Sequence, residues 1–357
     1  MVAPGSVVVL LGAGATRAAS AARGSNNRPP LDARFFQQAR DSTERMGNEP
    51  TLLRVVDEYF RSRYGLSVYD ADSLERVMNA LYADVGLERE GSFEALYAVI
   101  ELFRLRIAST AREPSVEDNH PVRRLIGGIL DQGVPPEDIT IVTFNQDVQI
   151  EKALDSLADD RRGIFAIPDS YRLQDPKVIS GSGRDGTFDH VRENGAISIL
   201  KLHGSLNWYR RSSQKHPTES TYLSMSGDLH VGLWRSVTRK IYESQPRFGR
   251  KQWYIYPVVV PPVSAKSSIF HRQVANLWPV ATDAMSEASS LVVFGYSCPE
   301  SDYEAQNLIR GSTAVGSPDV TLIDPNPGVV ARYHELTGAP HIEYHASIGN
   351  YLDRHGW

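Results

Sequence analysis

The sequence has little cysteine, no long apolar run and no excess of positive charge. Cys298 is the only cysteine among 357 residues, which excludes a disulfide framework or a zinc module of several thiolates and favours a reducing compartment. No apolar stretch approaches the roughly 20 residues that span a bilayer. The formal net charge of −5 argues against a protein whose main task is to coat nucleic acid. We therefore expect a cytoplasmic protein with no membrane association.

Short apolar runs recur along the chain and predict strands. Several are apolar at every position rather than at alternate ones, as expected for parallel strands that helices cover on both faces. Helices predicted between them complete an α/β pattern. The strand candidates are Val7–Leu11, Ile139–Thr143, Ile197–Leu202, Trp253–Val260, Leu291–Phe294 and Val320–Ile323.

The long gap between the first two strand candidates has a different pattern. Apolar residues recur there at helical spacing, which predicts a helical subdomain inserted at about residues 31–130. Two further stretches, at about 158–195 and 206–252, are irregular, and the second interleaves aromatic and basic residues. We interpret both as smaller insertions.

The first motif, Gly12 to Thr16 (Gly-Ala-Gly-Ala-Thr), directly follows the first strand candidate. A strand, a tight glycine turn and a helix N-terminus together can point backbone N–H groups at a phosphate. The full Gly-x-Gly-x-x-Gly pattern is not met, because Arg17 stands at the third glycine position, and a Walker A lysine is missing. A close-packed strand-to-helix turn explains this motif equally well.

Four more motifs follow strand candidates. Thr143–Asp147 (Thr-Phe-Asn-Gln-Asp) offers an amide and a carboxylate that could hold a water or a ribose, although helix capping also favours them. Lys201–Ser205 (Lys-Leu-His-Gly-Ser) contains a histidine, a residue type suited to proton transfer, although structural histidines are commoner. Gly295–Ser297 and Asp324–Asn326 are also typical of ordinary turns.

The combination of the five motifs is more informative than any one of them. Each follows a strand and each can form hydrogen bonds with a ligand. In an open α/β sheet, ligands bind outside the carboxyl ends of the strands. A dinucleotide site is therefore the favoured interpretation.

The same five motifs resemble the ordered motif set of sirtuin-like domains, over residues 7 to about 330. The similarity is greatest to a branch found in bacterial antiphage defence systems, in which an Asn-Trp pair such as Asn207 and Trp208 extends the third motif. The resemblance implies a single catalytic domain over residues 1–357. Its expected fold is a Rossmann-like, doubly wound parallel sheet with a helical insertion and a small irregular second module.

The resemblance also implies roles for individual residues. Asn145 and Asp147 would face the nicotinamide ribose and carboxamide of NAD, and His203 would be the catalytic histidine that acts on the ribose.

The resemblance also places the two ends of the dinucleotide: Gly12 to Thr16 would cradle the NAD pyrophosphate, and Ser297 and Asn326 would lie near the adenosine half. The segment Pro30–Phe36 is a loose counterpart of the sirtuin cofactor loop. The implied cofactor-binding residues are Gly12, Ala13, Gly14, Ala15, Thr16, Asp32, Phe35, Phe144, Gly204, Ser205, Gly295, Tyr296, Ser297, Asp324 and Asn326.

The lone cysteine bears on the reaction. Zinc-containing sirtuin deacylases carry a four-cysteine module that Cys298 cannot form, so we expect no zinc. With water as the nucleophile instead of an acyl-lysine, NAD would be consumed to give nicotinamide and ADP-ribose. An NAD hydrolase is the favoured function. The alternatives are a module that senses NAD or ADP-ribose without catalysis, and a deacylase that lacks the zinc module.

An NAD hydrolase that was always active would kill its host, so we expect gating by self-assembly or by a separate protein. The resemblance implies an NAD-depleting defence effector that forms a homo-oligomer. It favours a HerA-type ATPase over a short Argonaute protein as the partner. The segment 206–252 could contact nucleic acid, but we favour a site wall or a subunit interface.

His341, Glu343 and His345 would share one face if this segment were a strand. Such a face could hold a metal ion. Ordinary strand alternation explains the pattern equally well, and we expect no metal site.

Overall fold

The computed structural model describes residues 5–22, 35–41, 49–110, 119–159, 161, 163–167, 169–174, 176–179, 196–212, 229–232, 247–248, 251–252, 254–260, 272–300 and 302–357. Asp32 and much of the two smaller predicted insertions lie outside these residues. No helix in the described ranges is long and apolar enough to cross a bilayer.

Strands and helices alternate over much of the chain. The strands are β1 Val7–Leu11, β2 Ile139–Thr143, β3 Lys177–Ile179, β4 Ser198–Lys201, β5 Gly204–Ser212, β6 His230–Gly232, β7 Arg247–Phe248, β8 Lys251–Gln252, β9 Tyr254–Val259, β10 Ser290–Phe294, β11 Asp319–Ile323 and β12 Ile342–His345. The helices are α1 Ala13–Ala22, α2 Phe35–Asp41, α3 Glu49–Tyr64, α4 Leu74–Gly86, α5 Ser92–Thr110, α6 Pro121–Asp131, α7 Gln149–Ala158, α8 Arg272–Ala275, α9 Leu277–Glu287, α10 Tyr303–Gly316, α11 Gly328–Thr337 and α12 Ile348–His355.

Six strands form the main sheet, in the order β12-β11-β10-β1-β2-β4, and every neighbouring pair is parallel. From β1 the chain builds outward through β2 and β4, then returns to the other side of β1 and builds outward through β10, β11 and β12. This is the Rossmann order, with its reversal between β1 and β10. The predicted doubly wound parallel sheet is confirmed, and its reversal point is where such sheets bind ligands.

The main sheet is buried on both faces. All five residues of β1 and the last four of β10 are buried, which explains why these strands read as unbroken apolar runs. Five of the six strand candidates lie in this sheet. The sixth, Trp253–Val260, corresponds to β9 and lies in a second sheet.

The second sheet has the order β3-β6-β5-β9. In it β5 is antiparallel to β6 and β9, and β3 is parallel to β6. Two residues, Leu202 and His203, separate β4 of the main sheet from β5 of the second. The second sheet therefore begins at the carboxyl edge of the main sheet, where the predicted site residues lie.

Helices α2 to α5 have a hydrophobic core of their own. Ser73 begins α4 by accepting a hydrogen bond from the backbone N–H of Arg76 at 3.1 Å. Helix α6 also falls within the predicted insertion of residues 31–130, but it packs against the main sheet. Val148 and Leu206, which directly follow the second and third motifs, are buried in the helical core. The helical subdomain thus supports the loops that carry the predicted site.

Candidate active site

The turns after β1 and β10 are in direct backbone contact. The N–H of Gly12 donates to the carbonyl oxygen of Phe294 at 3.1 Å, and that of Gly14 donates to the carbonyl oxygen of Gly295 at 2.9 Å. A Cβ atom on Gly12 would lie 2.5 Å from the Gly295 oxygen, and one on Gly295 would lie 2.4 Å from the nitrogen of Ala15. The close approach of the two turns leaves no room for a side chain at either position, which explains why both residues are glycine. It also holds the N-terminus of α1 at the reversal point of the sheet.

The first turn of α1 is exposed to solvent on one side and buried on the other. Ala13 is exposed and Gly14 is half-buried, whereas Ala15 and Thr16 are buried. The helix macrodipole and the N–H groups of the first turn favour an anion at this point. The predicted pyrophosphate position is thus next to a polar side chain, Thr16, that faces the protein.

Thr16 links the first motif to the second. Its hydroxyl donates to Oδ2 of Asp147 at 2.6 Å, while Nδ2 of Asn145 donates to the Thr16 hydroxyl at 3.0 Å and to the Gly12 oxygen at 2.7 Å. The other carboxylate oxygen of Asp147 accepts from the N–H of Gln149 at 2.9 Å. The amide of Asn145 is therefore held by both of its N–H groups, which leaves its Oδ1 atom as the end able to orient a ligand.

The second and third motifs are joined on either side of His203. The N–H of Leu202 donates to the oxygen of Thr143 at 2.9 Å, and the N–H of Leu206 donates to the oxygen of Gln146 at 2.9 Å. Because β2 and β4 are parallel neighbours, their carboxyl ends meet. His203 is therefore held beside the loop that carries Asn145.

A group of aromatic rings surrounds His203, which is 6% exposed. The ring centroids of Phe144 and Trp278 lie 5.0 Å and 6.3 Å from that of His203, and Tyr296 lies 4.7 Å from Phe144. These rings come from the ends of β2, β4 and β10 and from helix α9. The predicted residues Phe144, His203 and Tyr296 are brought together, with Trp278 as an addition that sequence reasoning missed.

A fully buried ion pair lies below the second motif. Nζ of Lys201 lies 2.8 Å from Oε1 of Glu151, and both side chains are 0% exposed. The same ammonium donates to the backbone oxygen of Asp147. The hydroxyl of Tyr171 donates to Glu151 at 2.9 Å. Burial and the charge of Glu151 raise the pKa of Tyr171 well above its usual value, so the phenol stays protonated as a donor.

Ser205 extends this buried group of polar side chains. Its hydroxyl donates to Oδ1 of Asn207 at 2.6 Å. Nδ2 of Asn207 donates to the Tyr171 hydroxyl at 2.9 Å and to the backbone oxygen of Gly232 at 3.0 Å. Ser205 thus connects the third motif to the second sheet rather than facing the edge of the main sheet.

The fourth motif is partly exposed and partly buried. The hydroxyl of Tyr296 donates to Oδ2 of Asp302 at 2.7 Å, and Ser297 is exposed. Cys298 is a free, buried cysteine, as expected for a small packed thiol. Burial raises its pKa to about 11, against a lowering effect of Arg332. The thiol is therefore protonated at neutral pH and poorly suited to act as a nucleophile.

The fifth motif forms two consecutive turns before α11. Oδ1 of Asp324 accepts from the N–H of Asn326 at 2.8 Å, and Oδ1 of Asn326 accepts from the N–H of Gly328 at 3.0 Å. Burial raises the pKa of Asp324, against the lowering effect of its hydrogen bond with Asn326. Both side chains have structural roles at this edge, and the predicted position of Asn326 near adenosine stays a prediction.

Among the described residues, the predicted cofactor loop places no side chain at the carboxyl edge of the main sheet. Phe35 is 1% exposed, and its ring packs 5.1 Å from Phe36 and 6.3 Å from Phe103 in the helical core. Asp32 lies outside the described residues. The roles of Asp32 and Phe35 stay predictions.

Glu151 and Tyr171 were missed by sequence reasoning. Glu151 stands three residues before Leu154 on the apolar face of α7, where a charge needs a buried partner. A glutamate at that position could have been recognised from the sequence as a buried charge with a partner. Tyr171 and Trp278 come from distant segments, and no local pattern marked them.

Gly204, the residue after His203, has a backbone that only glycine suits. Its φ is +76°, and an added Cβ would lie 2.1 Å from the oxygen of Val258. We expect Gly204→Ala to lower the free energy of unfolding by more than about 3 kcal/mol, since it combines left-handed strain with a clash. Gly338→Ala is the control, because its φ is +64° but nothing lies within 4 Å of the added atom. Denaturant unfolding measures both, and equal losses would contradict the clash.

Comparisons with known proteins give no match to a family model or a curated protein, but several solved structures are similar. One, described as "Sir2-p53 peptide-NAD+", is 14% identical with a TM-score of 0.41, covering 98% of this chain and 90% of that chain. "Structural Basis for the Mechanism and Regulation of Sir2 Enzymes" is 12% identical with a TM-score of 0.42, covering 98% and 90%. "Structure of Sir2Tm bound to a propionylated peptide" is 14% identical with a TM-score of 0.42, covering 98% and 90%.

Proposed function

We propose that the protein hydrolyses NAD to nicotinamide and ADP-ribose. The observation that carries the proposal is the constellation at the reversal point of the sheet. There a hydrogen-bonded set of Thr16, Asn145 and Asp147 lies beside His203, next to a helix N-terminus. This combines an anion site, a fixed amide and a histidine, the parts that binding and cleavage of a dinucleotide need.

The reaction breaks the bond between C1′ of the ribose and the nicotinamide nitrogen. The electron pair of that bond leaves with nicotinamide, and positive charge develops at C1′. A water oxygen then bonds to C1′, and the proton that it loses passes to solvent. An enzyme accelerates this step by orienting the ribose and the water and by stabilising the charge.

Two side chains are suited to act directly on these atoms. Asn145, held by both N–H groups, would accept a hydrogen bond from the attacking water through Oδ1. His203, held in the aromatic group, would polarise a ribose hydroxyl and stabilise the charge at C1′. The rings of Phe144 and Trp278 beside it would exclude bulk water from the reacting centre.

Asp147 acts through Thr16 in this proposal. Its carboxylate is 6% exposed and accepts from the Thr16 hydroxyl and from a backbone N–H. These contacts favour a positioning role that fixes Thr16, and through it Asn145. Asp147 was predicted to orient water together with Asn145, and the proposal now assigns the direct contact to Asn145.

The cofactor would lie across the reversal point. The N-terminus of α1 would hold the pyrophosphate, and the turns at Gly295–Ser297 and Asp324–Asn326 would face the adenosine half. The buried Cys298 thiol contributes to packing. NAD would be a consumed substrate rather than a resident cofactor.

Regulation and partners extend the proposal. We infer an NAD-depleting effector of antiphage defence that forms a homo-oligomer and is gated by a HerA-type ATPase. The support is the motif resemblance, together with the need to restrain an activity that empties the NAD pool. A module that senses NAD or ADP-ribose without cleaving it is the second candidate. It is favoured by the contacts of Asp147, a predicted catalytic residue whose two carboxylate oxygens already accept hydrogen bonds within the protein.

Thr16→Val tests the positioning set. Valine keeps the shape but removes the hydroxyl, so we expect kcat for nicotinamide release to fall about 10- to 100-fold with a smaller change in KM. Thr16→Ser should restore most of the rate. Thr313→Val is a matched control, because Thr313 is a buried threonine of α10 whose hydroxyl donates to Ile309. Nicotinamide release at the wild-type rate by Thr16→Val would show that the Thr16 hydroxyl does not position a group needed for turnover.

Product analysis separates hydrolysis from deacylation. The purified protein is incubated with NAD, with and without an acetyl-lysine peptide, and the products are separated by chromatography. Hydrolysis predicts equal nicotinamide release in both samples and unmodified ADP-ribose. Nicotinamide release that requires the peptide, with acetyl-ADP-ribose as the product, would identify a deacylase.

A further inference from the structure

Three metal-ligating side chains converge near the C-terminus, outside the site described above. Glu343 and His345 point from one face of β12, and His355 comes from the last turn of α12. One ligand atom from each lies within 4.8 Å of the others. Their side chains are 39%, 10% and 28% exposed respectively. The cluster is therefore partly sheltered and open to solvent on one side.

The separations within the cluster suit a small divalent ion. Nε2 of His345 lies 2.9 Å and Nε2 of His355 lies 3.7 Å from Oε1 of Glu343. Ligand atoms placed tetrahedrally at the bond lengths usual for zinc stand about 3.3 Å apart. The two observed distances lie on either side of that value, so small side-chain rotations would place all three atoms at bonding distance.

The environment of His355 also favours a bound cation. Its Nε2 atom is buried and has no hydrogen-bond partner among the described residues, although it faces the carboxylate of Glu343 at 3.7 Å. That distance is too long for a hydrogen bond. An imidazole nitrogen buried opposite a carboxylate without a bond is a costly arrangement. A metal ion between the two would satisfy both groups.

Aromatic rings fix the two imidazoles. The ring of Tyr351 lies 5.2 Å from His345 and 4.4 Å from His355, and Trp357 lies 5.2 Å from His355. Rings packed in this way hold ligands in place, as metal sites require.

We propose that Glu343, His345 and His355 bind a zinc ion or a similar first-row divalent ion. Two histidines and one carboxylate leave a fourth position, which water would occupy. The site lies at the same edge of the sheet as the fifth motif, because the backbone oxygen of His345 accepts from the N–H of Asp324 at 3.0 Å.

This proposal departs from the expectation of no metal site, and its ligand set differs from the one that strand alternation offered. His341 is exposed and precedes β12, so it does not join Glu343 and His345. The third ligand comes instead from α12, which packs back on β12. A metal ion here would tie the last helix to the edge strand of the sheet.

Metal titration of the full-length protein tests the proposal. The protein is treated with a chelator, dialysed and titrated with Zn²⁺ alone by calorimetry, and the absorption spectrum of the Co²⁺ form reports its coordination. We expect one ion per chain and a Co²⁺ spectrum typical of four-coordinate sites. We also expect Zn²⁺ to raise the melting temperature.

Variants identify the ligands. His355→Ala and Glu343→Gln should each lower Zn²⁺ affinity by about tenfold or more, and His341→Ala should bind as the wild type does. Circular dichroism of the metal-free proteins checks that each variant is folded, and Glu343→Gln preserves the shape of the side chain if His355→Ala does not fold. Absence of stoichiometric binding by the wild type, or equal loss in the His341→Ala variant, would overturn the proposal.

Discussion

Replacing His203 by phenylalanine is expected to lower kcat for nicotinamide release by about 10²- to 10⁴-fold, the range typical of losing a group that moves or stabilises a proton. Phenylalanine keeps a ring against Phe144 and Trp278, whose centroids lie 5.0 Å and 6.3 Å from that of the imidazole. The packing should therefore survive while the ring nitrogens are lost. NAD affinity, measured by calorimetry, should change little, because the proposed anion site is at α1.

The control for this prediction is His341→Ala, which removes an exposed histidine outside the proposed active site. Its turnover should match that of the wild type. Both variants are assayed in whichever assembly gives wild-type turnover, so that gating does not obscure the comparison. A His203→Phe protein that releases nicotinamide at the wild-type rate would remove His203 from the mechanism. Loss of NAD binding together with turnover would assign it to binding instead.

Lys201→Met is expected to lower the free energy of unfolding by about 3–5 kcal/mol. The substitution leaves Glu151 as an unpaired buried carboxylate and removes a donor to the backbone oxygen of Asp147. The double variant Lys201→Met/Glu151→Gln should regain much of the loss, since glutamine is neutral and can still accept from Tyr171. Denaturant unfolding of the single and double variants measures this coupling.

An exposed ion pair provides the comparison. Arg54 and Glu58 lie 3.0 Å apart on α3 and are 64% and 60% exposed. Solvent screening makes such a pair weak, so Arg54→Met should change stability by less than about 0.5 kcal/mol. A double variant no more stable than Lys201→Met would show that the unpaired charge is not the source of the loss. In that case the contact with the backbone of Asp147 would be the main contribution.

The main sheet was predictable because of how it is buried. Strands such as β1 and β10 are covered on both faces, and this burial requires apolar residues at successive positions. The edge strand β12 is less buried, and only its short His341–His345 pattern indicated it. The strand order followed from no local pattern, because the order depends on which strands pair after long crossovers.

The candidate site was predictable as a set of strand ends but not as a set of contacts. Asn145 and His203 could be grouped because the carboxyl ends of parallel strands meet at one edge. The hydrogen bond from Thr16 to Asp147 joins residues 131 positions apart, and the contact of Trp278 with His203 is also long-range. Such contacts depend on packing between elements, which residue spacing does not encode.

The C-terminal cluster illustrates the same limit. Strand alternation correctly placed Glu343 and His345 together. It could not supply His355, because that contact depends on α12 turning back onto β12. The local pattern offered His341 instead, which lies outside the cluster.

The most direct test of the proposed function is chromatography of NAD incubated with the purified protein, alone and together with the proteins that co-purify with it from its native host. The proposal predicts that NAD disappears with equimolar appearance of nicotinamide and ADP-ribose, and that Asn145→Ala and His203→Phe each slow this conversion by about 100-fold or more while binding is retained. NAD that binds to the wild-type protein but stays intact in every one of these assemblies would contradict hydrolysis and favour the sensing module.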